Sequence, residues 1–323
     1  MEHYVTLFDK TFLPQGLCLY QSMDRNIDLF KLWVVCVDDS TYELLGKLDL
    51  PNIKRLRLST LETPELAELK HTRSIAEYCW TLTPFAPRFV FEADNTINRV
   101  TYIDADLWFR KNPNQIFEEF ESSGKEVLIT DHGYAPECDL SATSGQFCVQ
   151  FMTFNRAGGE MVRKWWEERC VEWCFSKYED GKFGDQKYLD DWPARFPKTV
   201  HVLRDKELAL APWNASRFPY GNSIFYHFHG LRIASPRKFY LGNYDLPNTL
   251  MVNVYKPYCQ ELCQILDDLK AMSWEFKRQT ETLNFLKNIY RFLRSKINKT
   301  LKILQGPFIK VRPKVKKIEQ NLK

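Results

Sequence analysis

Hydrophobic positions in this chain form short apolar runs separated by amphipathic segments. Six runs have the length and composition of buried or half-buried strands, at 4–8, 32–37, 53–58, 99–103, 127–130 and 147–154. Three segments between the early runs have helical spacing, at 15–23, 41–47 and 63–82. This alternation predicts an α/β fold with a mostly parallel sheet and helices on both faces.

The most informative polar positions are Asp104 and Asp106, which follow the strand at 99–103 and lie between Ile103 and Leu107. In an extended chain, residues two apart point to the same side. Two such carboxylates repel each other unless a cation lies between them. Mn²⁺ or Mg²⁺ would suit these oxygen ligands and leave positions for phosphate oxygens. The alternative is two acids in an ordinary turn after a buried strand.

Other acids also follow predicted strands. Asp9 comes after the first run, and Asp38 and Asp39 come after the second. Ligands of parallel α/β sheets bind beyond the carboxyl ends of the strands. We therefore expect these acids and the Asp104/Asp106 pair to lie at one edge of the sheet.

The second half of the chain adds further candidates. A helix is predicted at 160–175, followed by Gly184, Asp185 and Gln186. An alternating run at 223–230 predicts a strand with His227 and His229 on one face. A histidine on a strand is more often a packed residue than a ligand. A pair of them late in a chain with an early aspartate pair suggests an additional metal ligand.

Composition narrows the class of protein. The 323 residues are 44% hydrophobic, which suffices for one large core or two domains. No apolar run approaches the roughly 18 residues of a spanning helix. The first strand begins at Tyr4, so we expect no signal peptide, and the nine cysteines suggest reduced thiols in a cytosol. The pairs Cys170/Cys174 and Cys259/Cys263 are interpreted as buried thiols, with a four-cysteine zinc site as the alternative.

Charged residues are distributed unevenly between the main part of the chain and the C-terminal tail, which begins at Lys277. From Lys277 onward there are 14 Lys and Arg against 2 acids, which leaves 31 basic and 39 acidic residues before it. Residues 286–304 have the spacing of a basic amphipathic helix, and 310–317 adds positive charge. Such a tail predicts binding to an anionic membrane surface, although packing on its own domain is an alternative. Because residues 1–276 are acidic overall and contain no recognisable nucleic-acid-binding module, we expect no nucleic-acid partner.

Together these motifs resemble those of bacterial GT-A glycosyltransferases, in particular the family-8-like galactosyl- and glucosyltransferases of lipopolysaccharide synthesis, and glycogenin. The likeness covers residues 4–232, about 70% of the chain. It implies a GT-A fold, Rossmann-like, for residues 1–245, followed by a basic helical extension over 246–323. It also implies an enzyme that uses a nucleotide-diphosphate sugar as donor.

The resemblance also implies roles for individual residues. Asp104 and Asp106 would bind Mn²⁺ (or Mg²⁺), Asp104 would reach the donor ribose, and His227 would be the third metal ligand, with His229 as the alternative. Asp185 and Gln186 would lie beside the reacting sugar. The residues implied for the nucleotide-base pocket are Thr6, Phe8 and Asp9.

Two departures from the family pattern matter. Its Asn-Ala-Gly-hydrophobic-Asn strand is replaced here by residues 148–155, of which only the final Asn155 matches. The lysine after its His-x-x-Gly segment would fall at Ile233, so the adjacent Arg232 is the candidate for the diphosphate. Trp192 and Trp213 are interpreted as core residues, although either could stack on an acceptor sugar.

The resulting hypothesis is a hexosyltransferase that uses a UDP-sugar and a glycan or lipid-linked acceptor in surface polysaccharide or lipopolysaccharide synthesis. It would be a cytoplasmic enzyme, peripheral at the inner face of the plasma membrane. The resemblance favours retention of configuration, which the residues alone do not decide. One alternative is a non-catalytic nucleotide-sugar or membrane-binding protein. Another is an Asp-dependent phosphohydrolase, but its Asp pair normally follows the first strand and is followed by Thr or Val where this chain has Trp108.

Overall fold

The structure is a computed structural model that describes residues 1–218, 221–279 and the short strand 308–310. The chain divides into two compact units. The first comprises Met1–His229 with Asp245–Leu250, and the second comprises Gly230–Tyr244 and the chain from Met251 onward. The predicted functional division into 1–245 and 246–323 stays a prediction.

A seven-stranded sheet forms the centre of the first unit. Its strands in chain order are β1 (Glu2–Phe8), β2 (Phe30–Cys36), β3 (Ile53–Arg57), β4 (Arg99–Ile103), β6 (Val127–Asp131), β7 (Phe147–Asn155) and β8 (Val200–Val202). Three short strands form a second sheet, β5 (Leu107–Phe109), β9 (Ala209–Leu210) and β10 (Phe225–His227).

Helices connect and cover these strands. Those of the first unit are α1 (Leu13–Asn26), α2 (Asp39–Leu48), α3 (Pro64–Leu69), α4 (Ile75–Leu82), α5 (Ala86–Ala93), α6 (Asn114–Ser123), α7 (Ser141–Ser144), α8 (Glu160–Glu172), α9 (Trp192–Arg195) and the short turn α10 (Asn248–Leu250). Local sequence explains several starts. The Asp38 side chain accepts from the Thr41 N–H at the start of α2, and Ser74 and Glu77 form a capping box at α4.

The seven-stranded sheet has the order β3-β2-β1-β4-β7-β6-β8. All its pairs are parallel except the two that β7 makes, with β4 and with β6. The predicted mostly parallel sheet with flanking helices is therefore confirmed. Because β1, β2 and β4 are parallel neighbours, Asp9, Asp38 and Asp104 follow strands that end at the same edge.

Two hydrophobic clusters contribute to the core. One joins β1, β2 and β4 with α4 and α5, and the other joins β6 and β7 with α8 and α9. Trp166 and Trp192 lie at the centre of the second cluster, with ring centroids 5.6 Å apart and both side chains fully buried. Trp192 is thus a core residue and is not available to stack on an acceptor.

The second unit contains β11 (Arg232–Ser235), β12 (Lys238–Tyr240), β13 (Phe308–Lys310) and the helix α11 (Lys256–Ala271). The strands pair antiparallel in the order β11-β12-β13. Arg237 forms an ion pair with Asp267 on α11, and its Nη1 also donates to the Cys263 carbonyl oxygen at 3.3 Å.

Some element bounds differ from those predicted. The strand expected over 223–230 covers only Phe225–His227, and the helix expected to reach residue 175 ends at Glu172, because Trp173 is extended. Cys170, Cys174, Cys259 and Cys263 are buried free cysteines, as expected. Within the described residues, the only group of His, Cys, Asp and Glu side chains close enough together to hold a metal ion contains none of them.

Most of the residues on which the predictions for the C-terminal tail depend lie outside the described part of the chain. The expected amphipathic helix at 286–304 lies outside the described residues, as do the basic residues of 311–317. In the part of the chain that the structure describes, no helix combines the length and the apolar character needed to cross a membrane.

Candidate metal and donor-sugar site

Asp104 and Asp106 lie on a tight turn between β4 and β5. The Asp104 N–H donates to the Gln150 carbonyl oxygen at 3.1 Å, and the Leu107 N–H donates to the Asp104 carbonyl oxygen at 3.2 Å. The turn leaves 22% of the Asp104 side chain and 16% of the Asp106 side chain exposed. The expectation that both carboxylates face one side is therefore met by a turn and not by a continuous strand.

His227 is brought to these acids by strand pairing. β10 runs antiparallel to β5 with His227 opposite Leu107, and the Phe228 N–H donates to the Asp106 carbonyl oxygen at 3.0 Å. Nε2 of His227 lies 3.1 Å from Oδ1 of Asp106 and 3.7 Å from Oδ2 of Asp104. One potential ligand atom from each of the three residues lies within 4.8 Å of the others.

The donor atoms of this group suit a divalent cation. Two carboxylates supply hard oxygen ligands and one imidazole supplies nitrogen, a set that fits Mn²⁺ well and Mg²⁺ less well. In the absence of a cation, the carboxylates repel each other. The pKa of Asp104 is raised to about 6, chiefly by burial and in part by the Asp106 charge, while His227 and the Tyr102 hydroxyl oppose the shift.

The structure separates the two candidate histidines. His229 lies beyond the end of β10 and is exposed, whereas His227 is buried. Trp213 packs edge-on against both rings, with centroid distances of 5.2 Å to His227 and 5.4 Å to His229. Among the described residues, the metal-binding group contains His227 and not His229.

Gln150 contacts the other side of the His227 ring. Its Oε1 lies 2.9 Å from Nδ1 of His227, and its side chain is fully buried in β7. The sequence patterns described above did not indicate a functional role for Gln150. The available signal was an amide side chain within an otherwise apolar stretch of strand.

Asp185 is buried close to the aspartate pair. Gly184 has a φ of +53° at the turn before it, a conformation that favours glycine. Burial raises the pKa of Asp185 to about 7, and the Asp104 charge contributes to the shift. Its Oδ2 is buried without a hydrogen-bond partner among the described residues, and its carbonyl oxygen accepts from Trp166 Nε1 at 2.8 Å. An unpaired buried carboxylate oxygen is costly and often marks a functional site.

Gln186 follows Asp185 in the chain, but its side chain has another partner. Its Nε2 donates to the Ser144 carbonyl oxygen at 2.7 Å, at the end of α7. Asp185 and Gln186 are therefore adjacent in the chain but have different surroundings. Asp185 lies near the aspartate pair, whereas the Gln186 side-chain amide is bound to the backbone at the end of α7. The catalytic role of both stays a prediction.

The predicted base pocket lies along β1. Thr6 is fully buried, and its hydroxyl has no hydrogen-bond partner among the described residues. Phe8 is buried against Gly16, where an added Cβ would lie 2.5 Å from the Phe8 ring. The Asp9 carboxylate accepts from the N–H groups of Thr11 and Phe12 at 2.9 and 3.1 Å. Nucleotide binding by these residues stays a prediction.

Arg232 belongs to the second unit, as the first residue of β11. Its Nη1 donates to the Leu231 carbonyl oxygen at 2.8 Å. Its proposed role at a diphosphate stays a prediction.

A cluster of polar and aromatic side chains at the end of β6 was also not predicted from the sequence. Asp131 pairs with Lys206 at 2.8 Å, and His132 stacks on Tyr134 with ring centroids 4.6 Å apart. Trp213 contacts His132 edge-on, and its Nε1 donates to the His132 carbonyl oxygen at 2.9 Å. Burial lowers the pKa of His132 to about 4, so its ring is neutral at physiological pH. Trp213 thus packs between this group and His227.

Comparisons with known proteins agree with this fold. No model of a known protein family matches the sequence. Two uncharacterized proteins of Bacillus subtilis (strain 168) are similar along most of the chain. YfnF is 29% identical, covering 84% of this chain and 95% of YfnF. YfnD is 28% identical, covering 85% of this chain and 93% of YfnD.

Two solved structures are similar in fold at low sequence identity. The galactosyltransferase LgtC, in complex with donor and acceptor sugar analogs, has a TM-score of 0.51 and 13% identity, covering 81% of this chain and 95% of LgtC. The glycosyltransferase GlyE of Streptococcus pneumoniae TIGR4 also has a TM-score of 0.51 and 13% identity, covering 87% of this chain and 66% of GlyE. The chain therefore has the GT-A glycosyltransferase fold and resembles LgtC-like enzymes in that fold.

Proposed function

We propose that this protein is a metal-dependent glycosyltransferase that transfers a hexose from a UDP-sugar to a glycan or lipid-linked acceptor of a surface polysaccharide. The observation that carries the proposal is the grouping of Asp104, Asp106 and His227 within 4.8 Å, where strand β4 of a GT-A fold ends. This is the edge at which parallel α/β sheets bind ligands.

The metal-binding side chains account for the first part of the chemistry. Asp104, Asp106 and Nε2 of His227 would hold Mn²⁺ or Mg²⁺. When bound, the cation supplies positive charge that neutralises the diphosphate leaving group. The Tyr102 hydroxyl donates to Oδ1 of Asp104 at 2.9 Å and so orients the carboxylate whose Oδ2 faces His227.

Asp185 and Gln186 are proposed to act at the sugar. As the bond to the diphosphate breaks, positive charge develops at the anomeric carbon, and a nearby carboxylate stabilises it. Asp185 suits this role because it is buried, has an unpaired oxygen and lies close enough to Asp104 for their charges to interact. Retention of configuration is the proposed outcome because the resemblance described above favours it. Thr6, Phe8 and Asp9 are proposed to contact the nucleotide base.

A donor-hydrolysis screen tests this function. Purified protein is incubated with UDP-glucose, UDP-galactose, UDP-N-acetylglucosamine or GDP-mannose, with Mn²⁺ or with EDTA, and nucleotide release is measured. We expect UDP release from one donor, abolished by EDTA and reduced at least about 100-fold in Asp106→Asn. The matched control is Asp28→Asn, which removes an exposed carboxylate outside the site.

Each result of the screen has a defined meaning. Nucleotide release that is unchanged by EDTA and by the Asp106→Asn substitution would contradict the metal-dependent mechanism. Metal-dependent binding of UDP without release requires a second assay with membrane extract as the acceptor source. No transfer in that assay would favour a nucleotide-sugar-binding protein over an enzyme.

We also propose that the basic tail binds an anionic membrane surface at the inner face of the plasma membrane. The proposal rests on the 14 basic and 2 acidic residues from Lys277 onward. Co-sedimentation with anionic and with neutral vesicles tests it. We expect binding only to anionic vesicles, weakened by salt and lost on truncation after residue 279. Equal binding to neutral vesicles would contradict it.

A further inference from the structure

Gln150 is a fully buried amide that contacts a metal-ligand candidate without belonging to the metal-binding group. We propose that Gln150 is a positioning residue that holds His227 in the tautomer able to bind a divalent cation. The proposal rests on the function proposed above, because it requires that His227 binds a metal through Nε2.

The two nitrogens of the His227 ring face different partners. Nε2 faces the carboxylates, at 3.1 Å from Asp106 and 3.7 Å from Asp104. Nδ1 faces Oε1 of Gln150 at 2.9 Å. A neutral imidazole carries its proton on one nitrogen and a lone pair on the other, so the partner of Nδ1 decides what Nε2 can do.

Whether Oε1 or Nε2 of Gln150 faces Nδ1 determines the tautomer of the neutral His227 ring. With Oε1 facing the ring, Nδ1 must carry the proton and donate it, which leaves the Nε2 lone pair directed at the carboxylates. With the amide rotated, Nε2 of Gln150 would donate to Nδ1, and the ring proton would lie on Nε2 and bind Asp106. Only the first arrangement presents a metal ligand, and it is favoured by the placement of Oε1 of Gln150, and not its Nε2, at 2.9 Å from Nδ1.

The first arrangement has a local cost. Nε2 of Gln150 is buried and makes no hydrogen bond to any described residue. An unpaired buried amide nitrogen is destabilising, so the hydrogen bond to His227 alone is a weak reason to hold an amide there. A group that orients a metal-binding imidazole through its far nitrogen typically changes metal affinity by about 10- to 100-fold. A positioning role therefore accounts for a polar side chain in this strand.

The test combines one spectroscopic and one binding measurement. Long-range ¹⁵N NMR of metal-free protein at about pH 8.5, where an ordinary imidazole is neutral, reports the tautomer of His227. Its signal is assigned with His227→Ala. We expect the Nδ1–H tautomer in the wild type and a shift toward Nε2–H in Gln150→Met, which keeps the side-chain length but cannot accept the proton. An Nε2–H tautomer in the wild type would overturn the proposal without any variant.

Mn²⁺ affinity, measured by electron paramagnetic resonance, gives the second readout. We expect binding to weaken about tenfold or more in Gln150→Met and to be largely retained in Gln150→Glu, whose carboxyl can still accept from Nδ1. The control is Thr153→Val on the same strand, which removes a buried hydroxyl bonded to Thr101 at 2.9 Å and should leave affinity unchanged. Equal affinity in wild type and Gln150→Met would overturn the proposal.

Asp106→Asn separates this proposal from the function on which it rests. If the wild type binds no Mn²⁺, or binds it as well with Asp106→Asn, then the metal site itself is wrong. If Asp106→Asn abolishes binding while Gln150→Met changes neither affinity nor tautomer, only the positioning role of Gln150 fails.

Discussion

His227 and Asp106 approach each other because β5 and β10 pair antiparallel, and Nε2 of His227 lies 3.1 Å from Oδ1 of Asp106. The Phe228 N–H also donates to the Asp106 carbonyl oxygen at 3.0 Å, so backbone pairing fixes the distance between the two side chains. A candidate metal-binding group held by strands on both sides is well placed to bind a cation without rearrangement.

The two histidines should differ in their effect on metal binding. We expect His227→Ala to weaken Mn²⁺ binding by at least about tenfold, because it removes one of three ligands. His229→Ala should change the affinity less than about twofold, because that side chain is exposed and outside the metal-binding group. Titration of each variant with Mn²⁺ measures both effects, and a larger loss in His229→Ala would reverse the assignment.

A residue of this site could be predicted from the sequence when its immediate neighbours in the chain indicated its role. Asp104 and Asp106 were identifiable because they follow a strand with strong apolar character and are flanked by Ile103 and Leu107. His227 was identifiable only as one of two alternatives. The alternating pattern suggested a strand through His229, whereas the strand ends at His227, where the Phe228 N–H turns to Asp106.

Contacts between strands distant in sequence were not predictable. Gln150 reaches His227 because β7 runs antiparallel to β4 with Phe151 opposite Ile103, a register that no single segment specifies. The contact between Asp131 and Lys206 likewise depends on the order of the sheet. Local sequence patterns predict individual helices and strands. Which side chains come into contact depends on how the strands pair, and this pairing was not predictable from the local patterns.

Asp185 should destabilise the metal-free protein at neutral pH. Burial first, and the Asp104 charge second, raise its pKa to about 7, so the folded state binds its proton more tightly than the unfolded chain does. Below about pH 4 both states are protonated and the penalty is absent. As the pH rises from about 4 to about 7, the unfolded chain loses this proton while the folded protein keeps it, so stability falls over that range and levels off above about pH 7.

We therefore expect Asp185→Asn to stabilise the protein in EDTA by about 4 kcal/mol at pH 8 and by much less at pH 4. Urea unfolding at the two pH values measures the difference. The same variant should lose donor hydrolysis if Asp185 acts at the sugar. An equal effect of the substitution at both pH values would contradict the assigned burial and charge of Asp185.

Lys206 should stabilise the end of β6 through Asp131. Burial raises the pKa of Asp131, but Lys206, the Gly133 N–H and the Gln146 amide outweigh it, so the pKa lies below its usual value. Lys206→Met should lower the free energy of unfolding by about 1–3 kcal/mol at pH 7, because it leaves a buried carboxylate without its cation.

The pH dependence of that loss follows from the lowered pKa. The stabilisation is present above the unfolded pKa of Asp131 and disappears as the pH falls through the folded value, so acid should reduce the difference between variant and wild type. Lys198→Met, at an exposed position, is the matched control. A Lys206→Met effect no larger than that of the control would show that the ion pair adds nothing.

The most direct measurement of the central claim is anomalous diffraction from crystals grown with Mn²⁺ and UDP. We expect one manganese peak bounded by carboxylate oxygens of Asp104 and Asp106 and by Nε2 of His227, at ligand distances of about 2.0–2.4 Å, with the diphosphate on its open side. No peak at these three residues under saturating Mn²⁺ and UDP, or a peak bound elsewhere, would contradict it.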